Sequence, residues 1–383
     1  MLNGSDVRAA LARSPIVGVA LAAIAWSASP GRAVAKDHGP SGVPTKSVFA
    51  THLNNPRGLK FGPDGKLYVA EGGLGGMNST VGTCEQVVPP VGPYTGGYTG
   101  RISRIDRHGV RSTVVDHLPS SQTGPLLGNL VSGVADVAFL GDTLYALLAG
   151  AGCSHGVPDV PNAVIKVRRN GTWTIVADLS AFQQGHPVAN PEPDDFEPDG
   201  TWYSMVAADG NLWAIEPNHG ELDRITPSGQ VSRVIDISAS QGHVVPTALA
   251  FHHGQFFVGN LNTFPIVDGS AHIYRINRGG HIRVAVDGLT TVLGVAFDED
   301  GRLYVLENTV GSPMPAPGAG RVVRLTRDGD LEPIVSGLTL PTAMTFGPDG
   351  RLYVSEVGFG PPVAGAGQIT RITIPDDDDD DRE

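Results

Sequence analysis

The chain contains none of the short motifs that mark common catalytic sites. It has no GxSxG nucleophile elbow, no HExxH zinc helix, no P-loop and no CxxC pair. Its glycine-rich runs near Gly73 and Gly360 lack the strand and the helix that flank a dinucleotide-binding GxGxxG motif. These absences leave no support for a serine hydrolase of that type, a zinc protease, a P-loop NTPase or a dithiol oxidoreductase.

Basic residues are also scarce. The 383 residues include 27 Lys and Arg against 39 Asp and Glu, which gives a formal net charge of −12, and they show no basic stripe. Because binding to a polyphosphate depends on clustered cations that release counterions, nucleic acid is not an expected partner. Part of the negative charge lies in residues 376–383, which we interpret as an acidic, disordered tail.

Hydrophobic runs long enough to span a membrane are missing as well. The apolar run over residues 16–26 has about 11 residues, whereas a bilayer requires roughly 20. It follows Arg8 and Arg13 and precedes Ala33-Val34-Ala35, a small-x-small cleavage pattern. The pattern predicts a signal peptide over residues 1–35. We therefore expect an exported protein, periplasmic or extracellular, without a membrane span after cleavage.

Turn-forming residues are abundant, with 51 Gly and 30 Pro, and they punctuate a repeat. One copy of the repeat is GLKFGPDGKLYVAE, from Gly58 to Glu71, in which an apolar strand and a turn precede an apolar-aromatic-apolar strand. The pattern occurs six times, and each copy is followed by a small-x-apolar-x-basic-apolar motif typical of a third strand. The aromatic anchors are Tyr68, Tyr145, Trp213, Phe257, Tyr304 and Tyr353.

A fourth strand follows the first five copies, and the sixth copy lacks one. The segment SVFATHL, from Ser47 to Leu53, aligns with the fourth strand that ends at Leu118. Pairing it with the last copy would close a ring and remove an edge of unpaired N–H and C=O groups. The sequence predicts an all-β, six-bladed β-propeller with four-stranded blades, in which the N-terminal strand closes the last blade. Residues 36–375 form its single domain, and we expect a monomer.

The spacing of the aromatic anchors shows where extra residues are inserted. The last three steps are 44, 47 and 49 residues, which suits one blade each, whereas the first two are 77 and 68. The excess lies at residues 72–99, 119–130, 150–162 and 181–197. Long insertions on a rigid scaffold commonly carry function, so a ligand or partner is expected at the face that bears them.

Several stretches resemble the ScyD/ScyE family. They are NPRGL from Asn55, EPDGTWYSM from Glu197, EPNHGELDRI from Glu216 and VGNLNTFPIVDGSAHIYRI from Val258. The similarity extends over nearly all of residues 45–375, and EPDG and EPNHGEL are its more specific parts. The resemblance implies an extracytoplasmic six-bladed propeller of the NHL-like and SMP-30-like kind, and it carries over no catalytic residue.

The residue that ends the second strand is polar in five of the six repeats. These candidates are Glu71, Glu216, Asn260, Glu307 and Glu356. Loops between strands 2 and 3 share a face with the segments that enter strand 1, so these side chains are expected near the channel mouth, beside Arg57 and Trp202. Such oxygen ligands suit Ca²⁺. The alternative is a structural role, because an acid at this position commonly accepts hydrogen bonds from the backbone of the next loop. The repetition of the residue in five blades favours this alternative.

The insertion from Asn190 to Gly200 is strongly acidic. Its five acids are Glu192, Asp194, Asp195, Glu197 and Asp199. The segment lacks the spaced ligands and the central Gly of an EF-hand loop, so a solvated loop is favoured over a cation site at the channel mouth. Trp202 and Tyr203 follow closely and offer an apolar platform for a ring-shaped ligand, although core packing is the more common role of such residues.

Cys84 and Cys153 are the only cysteines of the chain, and both lie in loops between strands 2 and 3 of adjacent blades. Export permits oxidation, and we expect a disulfide that stiffens the two loops.

Two functions remain open. The first is a non-catalytic binding or accessory protein that holds a small molecule or a protein partner at the loop-rich face. The second is a lactonase-like, cation-dependent hydrolase or lyase that acts at the same face through some of the five residues ending strand 2.

Overall fold

The computed structural model describes residues 42–191, 193 and 196–375. These residues form six antiparallel sheets, which are the blades of a β-propeller. The predicted fold is confirmed. The predicted signal peptide, the acidic tail and three acids of the insertion (Glu192, Asp194 and Asp195) lie outside the described residues.

Within each blade the strands follow one another from the central channel outward. Blade 1 contains β2 (Pro56–Phe61), β3 (Leu67–Glu71), β4 (Thr95–Ile105), β5 (Arg111–Gln122) and the short β6 (Val131–Ser132). Blade 2 contains β7 (Val134–Leu140), β8 (Thr143–Leu148), β9 (Ala163–Val167) and β10 (Trp173–Asp178). Blade 3 contains β11 (Ser204–Ala208), β12 (Asn211–Glu216), β13 (Glu221–Ile225) and β14 (Val231–Asp236).

The second half of the ring repeats this plan. Blade 4 contains β15 (Pro246–His252), β16 (Gln255–Asn260), β17 (Ala271–Asn277) and β18 (Ile282–Leu289). Blade 5 contains β19 (Val292–Phe297), β20 (Leu303–Glu307), β21 (Gly320–Leu325) and β22 (Leu331–Leu338). Blade 6 contains β23 (Ala343–Phe346), β24 (Leu352–Glu356), β25 (Gly367–Thr373) and β1 (Thr45–Leu53). Two short helices, α1 (Leu179–Gly185) and α2 (Ser238–Gln241), lie in connections, and neither is long enough to cross a membrane.

The ring is closed by the first strand, as the repeat pattern predicts. β1 pairs antiparallel with β25, from Thr45 opposite Thr373 to Leu53 opposite Gly367. The Leu53 side chain is fully buried, and the Phe49 ring contacts the Tyr353 ring edge to face at 5.0 Å. The last blade therefore contains strands from both ends of the described chain.

The hydrophobic core lies between the blades. Six clusters of buried side chains are present in the described part of the chain, one for each pair of neighbouring blades. The aromatic anchors contribute to them. In four junctions an anchor packs edge to face against a Phe at the last or next-to-last position of the first strand of the next blade: Tyr68 on Phe139, Phe257 on Phe297, Tyr304 on Phe346 and Tyr353 on Phe61. The repeat therefore encodes contacts between blades as well as strands.

The two faces of the propeller differ. Connections from strand 2 to strand 3, and from strand 4 to the next blade, lie on one side, which we call the loop face. On that side β4 and β5 continue past their blade as a long hairpin, and β5 ends at Gln122, four residues beyond the Leu118 predicted. Part of the insertions at residues 72–99 and 119–130 is thus strand rather than loop.

Candidate functional site

A cavity of about 610 Å³ opens at the loop-face end of the central channel, and we call it the loop-face cavity. Its volume falls in the range of roughly 300–1,000 Å³ that is common for small-molecule sites. Its lining is mostly apolar and includes Tyr94, Leu127, Leu130, Ala135, Trp202, Tyr203, Phe264, Met314 and Phe359, with Arg57, Glu197 and His243 as its titratable residues other than tyrosine. Three of the four insertions contribute, so extra residues surround a space that can hold an organic molecule.

Arg57 reaches this cavity from β2, the innermost strand of blade 1. Its side chain donates a hydrogen bond to the Val131 carbonyl oxygen at 2.5 Å, and the residue is only 8% exposed. The guanidinium carbon lies 5.7 Å from the centre of the Tyr203 ring and 5.8 Å from that of Phe359. A buried cation thus lies between two aromatic faces at the cavity wall.

Glu197 forms another part of the wall, in contact with polar groups from neighbouring blades. The Tyr94 hydroxyl donates to Glu197 Oε1 at 2.9 Å, and His155 Nε2 lies 3.0 Å from Glu197 Oε2. Ser121 Oγ lies 3.0 Å from His155 Nδ1. We call these four residues the Glu197 cluster. They join the insertions of blades 1, 2 and 3. Glu197 Oε1 accepts a hydrogen bond, and the buried Oε2 lies within ion-pair distance of His155 but without hydrogen-bond geometry.

The five polar residues that end strand 2 lie inside their blades. None of them lines the loop-face cavity, and each is at most 4% exposed. The four carboxylates each accept a hydrogen bond from a backbone N–H in the segment that enters strand 1: Glu71 from Asn54 (2.6 Å), Glu216 from Thr201 (2.9 Å), Glu307 from Thr290 (2.7 Å) and Glu356 from Thr339 (2.5 Å). Asn260 Nδ2–H instead donates to the Val244 carbonyl oxygen at 2.9 Å. Each residue therefore ties its blade's entering segment to strand 2.

These five residues do not fit a calcium site. Their oxygens face N–H donors, which would repel a cation, and Arg101 and Arg321 already neutralise Glu71 and Glu307 at 2.7 and 2.5 Å. In the described ranges, no group of three or more His, Cys, Asp or Glu is placed to hold a metal ion. We assign no chemical step to a bound cation. Of the seven candidate site residues, only Arg57 and Trp202 line the cavity.

Blade 3 contains three carboxyl groups whose pKa values are raised by burial. Burial raises the pKa of Glu216 from 4.5 to about 7, against the hydrogen bonds from His219 and Thr201, which lower it. Burial also raises the pKa of Glu221 to about 7, although Arg233 pairs with it, and raises the pKa of Asp223 well above its usual value.

Trp202 contacts one of these carboxyl groups, that of Asp223, and also lines the cavity. It donates from Nε1 to Asp223 Oδ2 at 3.4 Å and is 1% exposed. It is a core residue whose surface also forms part of the cavity wall.

The interpretation of the acidic insertion as a solvated loop is wrong at two of its described positions. Glu197 is 1% exposed, within the cluster above. Asp199 Oδ2 accepts hydrogen bonds from both the backbone N–H and the hydroxyl of Ser154, each at 2.7 Å. These partners come from another blade, so the charge run itself contains no signal for their burial.

The disulfide between Cys84 and Cys153 is confirmed, with Cα atoms 6.3 Å apart and 69 residues between them in sequence. It joins the insertions of blades 1 and 2. Cys153 begins a short 3-10 helix that ends at His155, so the bond lies close to the Glu197 cluster.

Tyr94 and His155 are two site residues that the sequence does not predict. Both lie in the insertions, at positions that no repeat aligns. The closeness of His155 to Cys153 was the available signal, because a disulfide fixes its neighbours in place.

No family model and no curated protein matches the chain. Among solved structures it is similar to a gluconolactonase from Xanthomonas campestris, with TM-score 0.50, 13% identity and coverage of 86% of this chain and 89% of that one. A protein of unknown function from Bacteroides thetaiotaomicron gives TM-score 0.54, 11% identity and coverage of 87% and 76%. At such identities the likeness establishes the fold alone, and the chain is a six-bladed β-propeller with the same architecture as these proteins.

Proposed function

We propose that the protein is an exported, ScyD/ScyE-like propeller that binds a small organic molecule in the loop-face cavity, as a binding or accessory protein rather than a catalyst. The observation that carries the proposal is the cavity itself. It has the volume of a small-molecule site, its lining is mainly apolar, and three insertions build its walls. Apolar pockets with a few polar groups are typical of ligand sites, and loops on a rigid scaffold commonly carry function.

The lactonase-like alternative has less support. A cation-dependent reaction at this face would need a group of oxygen ligands open to the cavity, and the five residues that end strand 2 are buried and hydrogen-bonded within their blades. The gluconolactonase among the similar structures is too distant to transfer its activity.

An uncharged fluorescent probe, N-phenyl-1-naphthylamine, tests the binding proposal. We expect one molecule to bind per chain, with increased emission in the apolar cavity. Leu127 lines the cavity, so the Leu127→Trp variant should fill part of it and weaken binding by about tenfold or more, equivalent to about 1.4 kcal/mol.

Leu126→Trp is the matched control for this test. Leu126 is the preceding residue, is 82% exposed and does not line the cavity. Its variant should bind the probe as the wild type does. Equal affinities for all three proteins would show that the probe binds elsewhere and would contradict the proposal.

Export is part of the proposal and rests on the amino-terminal pattern of residues 1–35. The disulfide supports it, since such bonds persist mainly in oxidising compartments. Amino-terminal sequencing of the protein from its native host should begin near Lys36. A first residue at Met1 or Leu2 would exclude cleavage.

A further inference from the structure

Arg57 is buried without a carboxylate partner. It is 8% exposed, and no Asp or Glu in the described part of the chain forms an ion pair with it. Other partly buried arginines differ. Arg101, Arg233 and Arg321 are more exposed than Arg57, and each pairs with a buried glutamate. Charged side chains are rarely buried unless they are paired, so the isolation of Arg57 requires an explanation.

The contacts that Arg57 does make leave its charge uncompensated. One guanidinium nitrogen donates to the Val131 carbonyl oxygen, and the rings of Tyr203 and Phe359 flank the cation. A carbonyl dipole and two aromatic faces attract a cation, but they carry no net charge. A guanidinium has five N–H donors, and a carboxylate, sulfonate or phosphate can accept two of them side by side.

The rest of the cavity restricts the ligand further. Glu197 is the only described acid that lines it; its Oε1 accepts from Tyr94, and its Oε2 is buried 3.0 Å from His155 Nε2. The remaining wall is largely apolar and aromatic, including Trp202, Tyr203 and Phe359. A molecule that matches this surface has an apolar or aromatic body and a single anionic group.

We infer that the ligand of the loop-face cavity is an aromatic or apolar organic monoanion whose acidic group pairs with Arg57. This inference rests on the proposed binding function and names the ligand class for that same cavity. Pairing would supply the missing countercharge at a buried guanidinium beside apolar walls, where charge-assisted hydrogen bonds are stronger than in water.

The test uses two probes that differ in one group. 1-Anilinonaphthalene-8-sulfonate is N-phenyl-1-naphthylamine with an added sulfonate, and both fluoresce in apolar surroundings. The wild-type protein should bind the sulfonate about tenfold more tightly than the uncharged amine or better, because it gains a charge-assisted pair with Arg57. In Arg57→Met, affinity for the sulfonate should fall by about 10–100-fold and affinity for the amine should stay within about twofold.

Arg278→Met is the matched control. Arg278 also lies over an aromatic ring, that of Phe251, but it is exposed, pairs with Asp209 and does not line the cavity. Its variant should bind both probes as the wild type does. A sulfonate affinity that falls equally in Arg57→Met and Arg278→Met would reflect general charge and would overturn the inference.

The outcomes separate the inference from the proposal on which it rests. If Leu127→Trp weakens both probes and Arg57→Met leaves the sulfonate unaffected, the cavity binds ligands but the anion preference is wrong. If Leu127→Trp weakens neither, the binding proposal itself fails. Should Arg57→Met not fold, the wild-type comparison still decides, because equal affinities or a preference for the uncharged amine would overturn the inference.

Discussion

At the residue scale, the residue that ends strand 2 ties the entering segment of its blade to that strand, and its charge is compensated differently from blade to blade. In blades 1 and 5 the buried glutamate pairs with an arginine from strand 3, and in blade 4 an asparagine avoids the charge altogether. Glu216 in blade 3 is a buried carboxyl group with no ion-pair partner among the described residues, and it lies near Glu221 and Glu197. It is therefore the position where pH should affect stability most directly.

Glu216 makes the protein less stable as pH rises. Its pKa is raised by burial from 4.5 to about 7, so the folded protein keeps a proton that the unfolded chain has already lost. The resulting stabilisation is fully present below about pH 4.5 and is lost as pH rises through about 7. A shift of this size corresponds to roughly 3 kcal/mol. In Glu216→Gln the side chain stays neutral, so the decrease in unfolding free energy between pH 5 and pH 8 should be smaller by a similar amount.

Urea unfolding of both proteins at the two pH values measures this difference. At pH 5 the side chain at position 216 is neutral in both folded proteins, so that comparison mainly reports the cost of the altered hydrogen bonds to His219 and Thr201. The same pH dependence in both proteins would show that Glu216 is ionised throughout and would contradict the assignment.

The sequence predicted the structural role of this position better than it predicted the binding residues. A polar residue that recurs in five of the six blades serves the repeat, and repetition is visible in a single sequence. Arg57 was identified only as a neighbour in the first strand. Tyr94 has no signal in the sequence and His155 has only its closeness to Cys153, because their partners lie in other blades and no local pattern records contacts between distant insertions.

At the scale of elements, the strands were predictable and the insertions were not. In blades 1, 5 and 6, strand 2 is a short, almost fully buried run that follows an Asp-Gly turn, so its bounds follow from hydrophobicity and turn chemistry. The sequence does not predict that β5 continues beyond Leu118, paired with the start of β4. Its extension contains Gly96, Gly97, Ser120 and Ser121, which carry little strand propensity; Gly96 and Ser121 contact the insertion of blade 2, and Gly97 and Ser120 contact blade 1.

The disulfide and the Glu197 cluster give those insertions a fixed arrangement. Cys84–Cys153 joins blades 1 and 2, and the interaction of Glu197 with Tyr94 and His155 joins blade 3 to both. Three insertions thus share one set of contacts beside the cavity. A wall built in this way is preorganised for a ligand, because little of its conformational freedom remains to be lost on binding.

At the scale of the whole molecule, stability depends on closing the ring. Each blade packs only on its two neighbours, so the junction of blades 6 and 1 completes a cycle of six similar interfaces. That junction includes β1, which brings Ala50, Leu53 and Phe49 into the same cluster as Leu59 and Val69 of blade 1. Without β1, the outer edge of β25 would present unpaired backbone groups to solvent and to other chains.

Single substitutions in β1 test how much this closure contributes. Leu53 is fully buried and Val48 is 58% exposed in the same strand, so the two positions separate burial from strand pairing. Leu53→Ala should lower the unfolding free energy by about 2–5 kcal/mol through lost burial and a residual cavity, whereas Val48→Ala should change it by about 0.5 kcal/mol or less.

Since a domain's total stability is about 5–15 kcal/mol, deletion of residues 42–53 should cause unfolding or aggregation. Urea denaturation and size-exclusion chromatography measure both effects. A deletion variant that stays monomeric with the wild-type melting temperature would show that the other five junctions hold the ring without it.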